Sequence, residues 1–225
     1  MPSSNIKAVL FDLDGTLVDS APDLHVAANR IMAEEGRGQI DLPAVTNMIG
    51  DGVPKLVERA FEATGGMPDA TTYDNAVKRF LNFYADHAAD LTRPFPGGVE
   101  VLARLKEAGY DLAVCTNKPY DATMEILGAL GLDIHLDVVI GGDTIPGVKK
   151  PDPRHLQAAL DNLGAGQGEA VMVGDNANDV NAARGTGIPV IVARFGYTKG
   201  PAENLGADLI IDHFDDLPAA FEQLP

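Results

Sequence analysis

Between residues 112 and 211 the chain alternates short apolar runs with helical stretches, and few folds accept that rhythm. The runs fall at 112–115, 138–140, 170–173, 190–192 and 209–211, and another lies at 6–10. Between them, residues 120–130, 153–163 and 178–184 carry apolar side chains at helical spacing. Strands that alternate with helices indicate βαβ units, and so an α/β, Rossmann-like parallel sheet with helices on both faces. In open sheets of this kind ligands bind beyond the carboxyl ends of the strands, where the strand order reverses. The polar residues that close each run are therefore the functional candidates. They are Asp12 and Asp14, then Thr116-Asn117-Lys118, then Gly141-Gly142-Asp143, then Gly174-Asp175-Asn176.

Asp12 and Asp14 start on opposite faces of an extended backbone. If the chain turns at Gly15, both can converge on one point beyond the strand. Crowded carboxylates repel, and a cation or a bound proton relieves them. A hard divalent metal such as Mg2+, which takes a few oxygens and leaves positions for phosphate, suits the pair. Either aspartate can then be the nucleophile and the other the acid/base.

After Ser20 the pattern changes. Residues 21–35 place Leu24, Ala28, Ile31 and Met32 at helical spacing, and 53–63 and 72–88 are helical in the same sense. Gly and Pro punctuate the gaps, among them Pro43, Gly50 and Gly52. No alternating strand occurs between Ser20 and Asp90. The expected division is a sheet-bearing core at 1–19 and 92–225, with an all-helical cap domain at 20–91 inserted after the first strand. A helix at 99–108 ending at Gly109 resumes the core.

Seventeen basic against thirty-three acidic residues leave a net charge of −16. Such a surface repels nucleic acid and anionic membrane, and no basic cluster exceeds Lys149-Lys150. An anionic substrate must be captured by a few placed cations and a metal. The one cysteine, Cys115, lies in an apolar run, which excludes an internal disulfide and predicts a buried small side chain. No apolar stretch approaches the ~20 residues of a membrane span, and no basic-then-apolar signal region precedes the first run. A cytoplasmic protein is expected. The sequence specifies no assembly state.

Four segments carry the chemistry. The first is Phe11-Asp12-Leu13-Asp14-Gly15-Thr16-Leu17-Val18-Asp19-Ser20. The second is Thr116-Asn117-Lys118-Pro119, where a hydroxyl, an amide and the N–H groups of a helix start suit a phosphate oxygen. The third is Val148-Lys149-Lys150-Pro151-Asp152-Pro153. The fourth is Gly174-Asp175-Asn176-Ala177-Asn178-Asp179, whose two acids can face one site. Each segment alone reads as a turn or a helix cap. In this order, at strand ends and loops, the set resembles the four motifs of the haloacid dehalogenase-like hydrolases.

The resemblance implies a mechanism. Asp12 attacks the phosphorus of a phosphomonoester and becomes an aspartyl-phosphate. Asp14 protonates the leaving alkoxide, then takes a proton from the hydrolytic water. Thr116 and Asn117 hold the phosphoryl group, and Lys150, rather than its neighbour Lys149, neutralises charge around it. Mg2+ is held by Asp12, by the Asp14 carbonyl and by Asp175, with Asp179 acting behind them. Asp14 argues against the dehalogenase branch, since a halide needs no proton. Relatives most often have Ser at the position of Asn176.

The helical insert matches the place of a four- or five-helix cap in such relatives, and its loop 49–55, with Gly52 and Lys55, is the candidate contact to substrate. Ala21-Pro22-Asp23-Leu24, Ile49-Gly50-Asp51-Gly52 and Arg93-Pro94-Phe95-Pro96-Gly97 resemble the phosphoglycolate phosphatase group. Bacterial members usually have Asn where this chain has Asp51, and an added carboxylate there would repel a small acidic substrate. The expected partner is a small phosphorylated metabolite. Alternatives are a sugar phosphatase, a pyrophosphatase, a transferase resembling β-phosphoglucomutase, or a regulatory binding protein that keeps the fold.

Overall fold

The computed structural model describes residues 5–224. The chain enters through β1 (Ala8–Phe11) and β2 (Val18–Asp19), then forms α1 (Ala21–Glu34), α2 (Leu42–Thr46), α3 (Val53–Ala63) and α4 (Ala70–Tyr84). It returns through β3 (Arg93–Pro94) to α5 (Gly98–Glu107), β4 (Asp111–Cys115), α6 (Tyr120–Ala129) and β5 (Val138–Ile140). Then follow α7 (Pro153–Leu163), β6 (Ala170–Gly174), α8 (Ala177–Thr186), β7 (Val190–Ala193), β8 (Leu209–Ile211) and α9 (Leu217–Phe221).

Six strands make one sheet in the order β5-β4-β1-β6-β7-β8, and every pairing is parallel. The chain leaves β1 toward β4 and β5, then crosses back to lay β6, β7 and β8 on the other side. The order therefore reverses at β1, which brings Asp12 and Asp175 to the reversal point.

Period-two alternation explains why such short runs hold as strands. Val9, Phe11, Leu112, Val114, Val171 and Val173 pack into one layer with Leu102 of α5 and Ile126 of α6. Their neighbours Ala8, Leu10, Ala113, Cys115 and Met172 pack into the opposite layer with Leu156 and Leu160 of α7 and Val180 of α8. Cys115 is buried as expected, and burial pushes its thiol up to about 12. Truncating a buried anchor such as Phe11 to Ala would cost about 3–5 kcal/mol. No helix among the described residues is long and apolar enough to cross a membrane.

Some elements differ from the sequence pattern for local reasons. The helix expected at 72–88 begins at Ala70, because the Asp69 carboxylate caps it by accepting from the Thr72 N–H. Pro43, read as punctuation, sits in the first turn of α2, where its missing N–H costs nothing, and Asp41 caps that helix through the Ala44 N–H. The two-stranded ribbon of β2 and β3 was not expected. It pairs Val18 with Pro94 and Asp19 with Arg93, so the outgoing and returning chain run side by side. Buried Asp23 fastens this crossing by accepting from the Leu91 and Thr92 N–H groups and the Thr92 hydroxyl.

His155 of α7 is fully buried, with Nε2 3.2 Å from the Gly141 carbonyl and no partner at Nδ1 among the described residues. Burial, assisted by the Lys150 charge, holds its pKa down to about 4 against an ordinary 6.5. The unfolded chain therefore binds a proton that the folded chain refuses, and stability falls as pH drops from 6.5 toward 4. Urea unfolding across that range should lose at most roughly 3 kcal/mol through this residue. His155→Gln should flatten that limb, and an unchanged slope would assign the loss elsewhere.

Candidate active site

The turn after β1 is built for close approach. The Thr16, Leu17 and Val18 N–H groups all return to the Leu13 carbonyl at 3.2, 2.9 and 3.0 Å. Gly15 takes φ +84°, and a Cβ there would lie 2.2 Å from Asp175 Oδ2, so both conformation and space require glycine. A Cβ on Gly174 would lie 2.3 Å from Asp179 Cγ.

These contacts bring Asp12, Asp175 and Asp179 together, with ligand oxygens within 4.8 Å of one another. Lys150, 2% exposed, places its ammonium 2.8 Å from Asp12 Oδ1 and 2.6 Å from Asp179 Oδ1. Asp12 Oδ1 also accepts from the Leu13 N–H, while Oδ2 has no partner among the described residues. Asp179 Oδ2 accepts from the Asp175 and Asn176 N–H groups, at 3.0 and 3.1 Å. Asn176 caps α8 through the Asn178 N–H and donates to Asp175 Oδ1, so Asn serves here as a polar cap.

Burial raises Asp12 to about 7 despite Lys150, and burial with the charges of Asp179 and Asp12 lifts Asp175 well above its ordinary value. Lys150 keeps its charge. Burial disfavours it, but Asp12 and Asp179 outweigh burial and raise its pKa. Three buried carboxylates against one ammonium leave an excess of negative charge that needs protons or a cation. That excess fits a hard divalent ion, which Asp12 and Asp175 can hold while Asp179 is occupied by Lys150 and two N–H groups.

Asp14 Oδ1 accepts from the Ser20 hydroxyl at 2.5 Å and from the Lys118 ammonium at 3.1 Å. Thr116 accepts from the Lys118 N–H, which leaves its own hydroxyl proton for an incoming oxygen. The expectation for Asn117 is corrected at its side chain. Both amide protons are used, one on the Gly50 carbonyl and one on the Lys150 carbonyl, each at 2.9 Å. Only its main-chain N–H, without a partner among the described residues, is open to an anion.

Asp12, Asp14, Thr116, Asn117 and Lys118 form the polar wall of a cavity of about 30 Å3, faced by Leu24, Ile49, Gly52, Val53 and Leu56. That is room for a few waters. Gly52 lines the cavity, whereas Lys55 turns away into an ion pair with Glu58 and does not line it. Loop 49–52 docks through its carbonyls instead: Gly50 accepts from Asn117 and Asn178, and Asp51 from Lys149. The Asp51 carboxylate pairs with Arg59 at 2.5 Å and accepts from Asn178, beside a neighbouring cavity.

Two residues complete the site: Lys118, named among the strand-end candidates but given no role, and Tyr197, which was not singled out. Lys118 also donates to the Tyr84 hydroxyl of α4 at 2.8 Å, with its ammonium 4.6 Å from the ring centre. Its place at a strand end was visible in the sequence; its partner was not. Tyr197, after β7, donates its N–H to Asp175 Oδ2 at 2.6 Å and its hydroxyl to Asp19 at 2.5 Å, and no local pattern announces it.

The family described as haloacid dehalogenase-like hydrolase matches residues 9–193. The phosphoglycolate phosphatase of Caulobacter vibrioides is 45% identical over 216 residues, 96% of this chain and 91% of that one. A plasmid phosphoglycolate phosphatase of Cupriavidus necator is also 45% identical, over 94% of this chain and 91% of its own. Among solved structures, a predicted phosphoglycolate phosphatase from Haemophilus somnus has a TM-score of 0.91 at 30% identity, covering 97% of this chain and 99% of that one. CbbY from Rhodobacter sphaeroides, in complex with phosphate, has a TM-score of 0.74 at 28% identity, covering 94% and 96%.

The buried charge excess generates a stability prediction. Asp175→Asn should raise the melting temperature of metal-free protein, because it removes one of three crowded carboxylates. Wild-type protein should gain several degrees on addition of millimolar Mg2+, and the variant little or nothing. An equal gain in both would remove Asp175 from the metal site.

Proposed function

The chain belongs to the haloacid dehalogenase-like hydrolase family and is a phosphatase, and from that premise we propose that it hydrolyses 2-phosphoglycolate to glycolate and phosphate through an aspartyl-phosphate. The observation that carries the chemistry is the Asp12 carboxylate, which is held at Oδ1 and free at Oδ2 in the cavity it shares with Asp14 and Thr116. The names of relatives that align with nearly the whole chain support the choice of substrate.

Asp12 Oδ2 attacks phosphorus as the bond to the ester oxygen breaks, and Asp14 gives that oxygen a proton. Water then attacks the phosphorylated Asp12, with Asp14 taking the proton back, and phosphate leaves with the carboxylate restored. The Thr116 hydroxyl and the Asn117 main-chain N–H orient phosphoryl oxygens, and Lys150 holds Asp12 in line while offsetting charge. Asp12, Asp175 and the Asp14 carbonyl would hold Mg2+, with Asp179 fixing Asp175 and Lys150 from behind. When bound, the ion stabilises negative charge on the transferring group. Residues 20–91 act as a cap. Their docking on Asn117, Asn178 and Lys149 narrows the cavity at Asp12 and Thr116 to about 30 Å3, beside one of about 240 Å3 lined by Asp14 and Asp175, so parting of those contacts admits substrate and their re-forming excludes water.

A panel of 2-phosphoglycolate, pyrophosphate, hexose phosphates and an amino-sugar phosphate tests the reading with Mg2+ present. Strong preference for 2-phosphoglycolate, abolished by Asp12→Asn, is the expected outcome; preference for another member would overturn the substrate. Asp14→Asn should lower kcat on alkyl phosphates by about 10²–10⁴-fold. It should cost far less with p-nitrophenyl phosphate, whose leaving group needs no proton. Equal losses on both would deny Asp14 the role of acid.

A further inference from the structure

The acid that serves the ester oxygen marks where the rest of the substrate lies. Only one carbon separates the ester oxygen of 2-phosphoglycolate from its carboxylate, which places that carboxylate within about 4 Å of the oxygen. Whatever recognises the carboxylate must therefore stand beside Asp14.

Lys118 stands there. Its ammonium is 3.1 Å from Asp14 Oδ1 and 2.8 Å from the Tyr84 hydroxyl, and it forms part of the cavity wall. An ammonium has three donors, and these contacts use two. The residue is 5% exposed, so a third donor left bare would be costly to bury. The facing side chains Leu24, Ile49, Val53 and Leu56 offer it nothing polar. Lys118 is the one cation on the wall of this cavity among the described residues. Lys150 is held between Asp12 and Asp179, Lys149 donates to the Asp51 carbonyl, and Lys55 is paired with Glu58.

We propose that Lys118 is the specificity-determining residue of the site, donating its third N–H to the carboxylate of a short acidic phosphomonoester. Tyr84 and Asp14 fix the direction of the ammonium, and the apolar wall removes the water that would weaken the contact. Tyr84 comes from the helical segment and Lys118 from the sheet, so the cation is aimed only when the two are together. The assignment rests on the 2-phosphoglycolate reading above.

The experiment compares kcat/KM for 2-phosphoglycolate and for 2-phosphoglycolamide, its neutral counterpart, in the wild type and Lys118→Met. The wild type should prefer the acid by roughly 10–100-fold, the size of one charged hydrogen bond. In Lys118→Met the ratio should fall to about one, with a smaller loss on the amide. A ratio that survives the substitution would overturn the role of Lys118 while leaving the substrate standing. Hydrolysis of other phosphomonoesters but not 2-phosphoglycolate by the wild type would overturn both. If Lys118→Met does not fold, Lys118→Gln, which keeps a donor, is measured in the same way. Wild-type protein alone gives a further test: glycolate should inhibit roughly tenfold more strongly than glycolamide, and equal inhibition would overturn the proposal.

Discussion

Lys150 enters the site from the loop before α7, and its ammonium is shared between Asp12 at the end of β1 and Asp179 in the first turn of α8. These elements come from both sides of the point where the sheet reverses. Without the ammonium, three acids would meet in a buried space with no positive charge among them, and breaking such a buried pair costs about 3–5 kcal/mol. The same residue supports the site through its backbone. Its carbonyl accepts one Asn117 amide proton, and the other proton of that amide reaches Gly50 of the helical segment. Electrostatic order at the three buried acids and mechanical order at the docking loop thus pass through one residue.

The two walls of the cavity have different origins. The polar wall comes from residues at the ends of β1 and β4, and the apolar wall from α1, α3 and the loop before α3. The sheet supplies carboxylate, hydroxyl, amide and ammonium groups, and the helices supply apolar side chains. The acidic surface repels an anionic ligand at long range, so recognition has to be short-range and is concentrated in a few buried donors.

Local chemistry accounts for what the sequence made legible. Apolar runs such as 170–173 are strands because both faces are covered, and the polar residue ending each run is at the site because the sheet is parallel. Asp12, Asp14, Thr116, Lys150, Asp175 and Asp179 could be picked out because each sits within a short motif. The commitments of side chains were hidden, since partners lie far along the chain: Lys118 and Tyr84 are 34 positions apart, and Tyr197 and Asp19 are 178 apart. Asn117 was misread for the same reason, its amide reaching Gly50 67 positions away, whereas the partner of Lys55, Glu58, lies only three residues on along the same helix. A motif names the residue type, but the free donors depend on which neighbours the fold supplies, here Gly50 for one and Glu58 for the other.

The ribbon of β2 and β3 has a consequence for inheritance. Because Val18 lies against Pro94 and Asp19 against Arg93, a continuous stretch of gene encodes everything between two neighbouring points, and none of the sheet. Such a cassette can be exchanged whole without disturbing the strands on either side. Exchange would replace the apolar wall and Tyr84 together, while the lysine that Tyr84 steers would remain with the recipient. The two halves need not share one ancestry, and a new cassette would have to supply its own partner for that lysine.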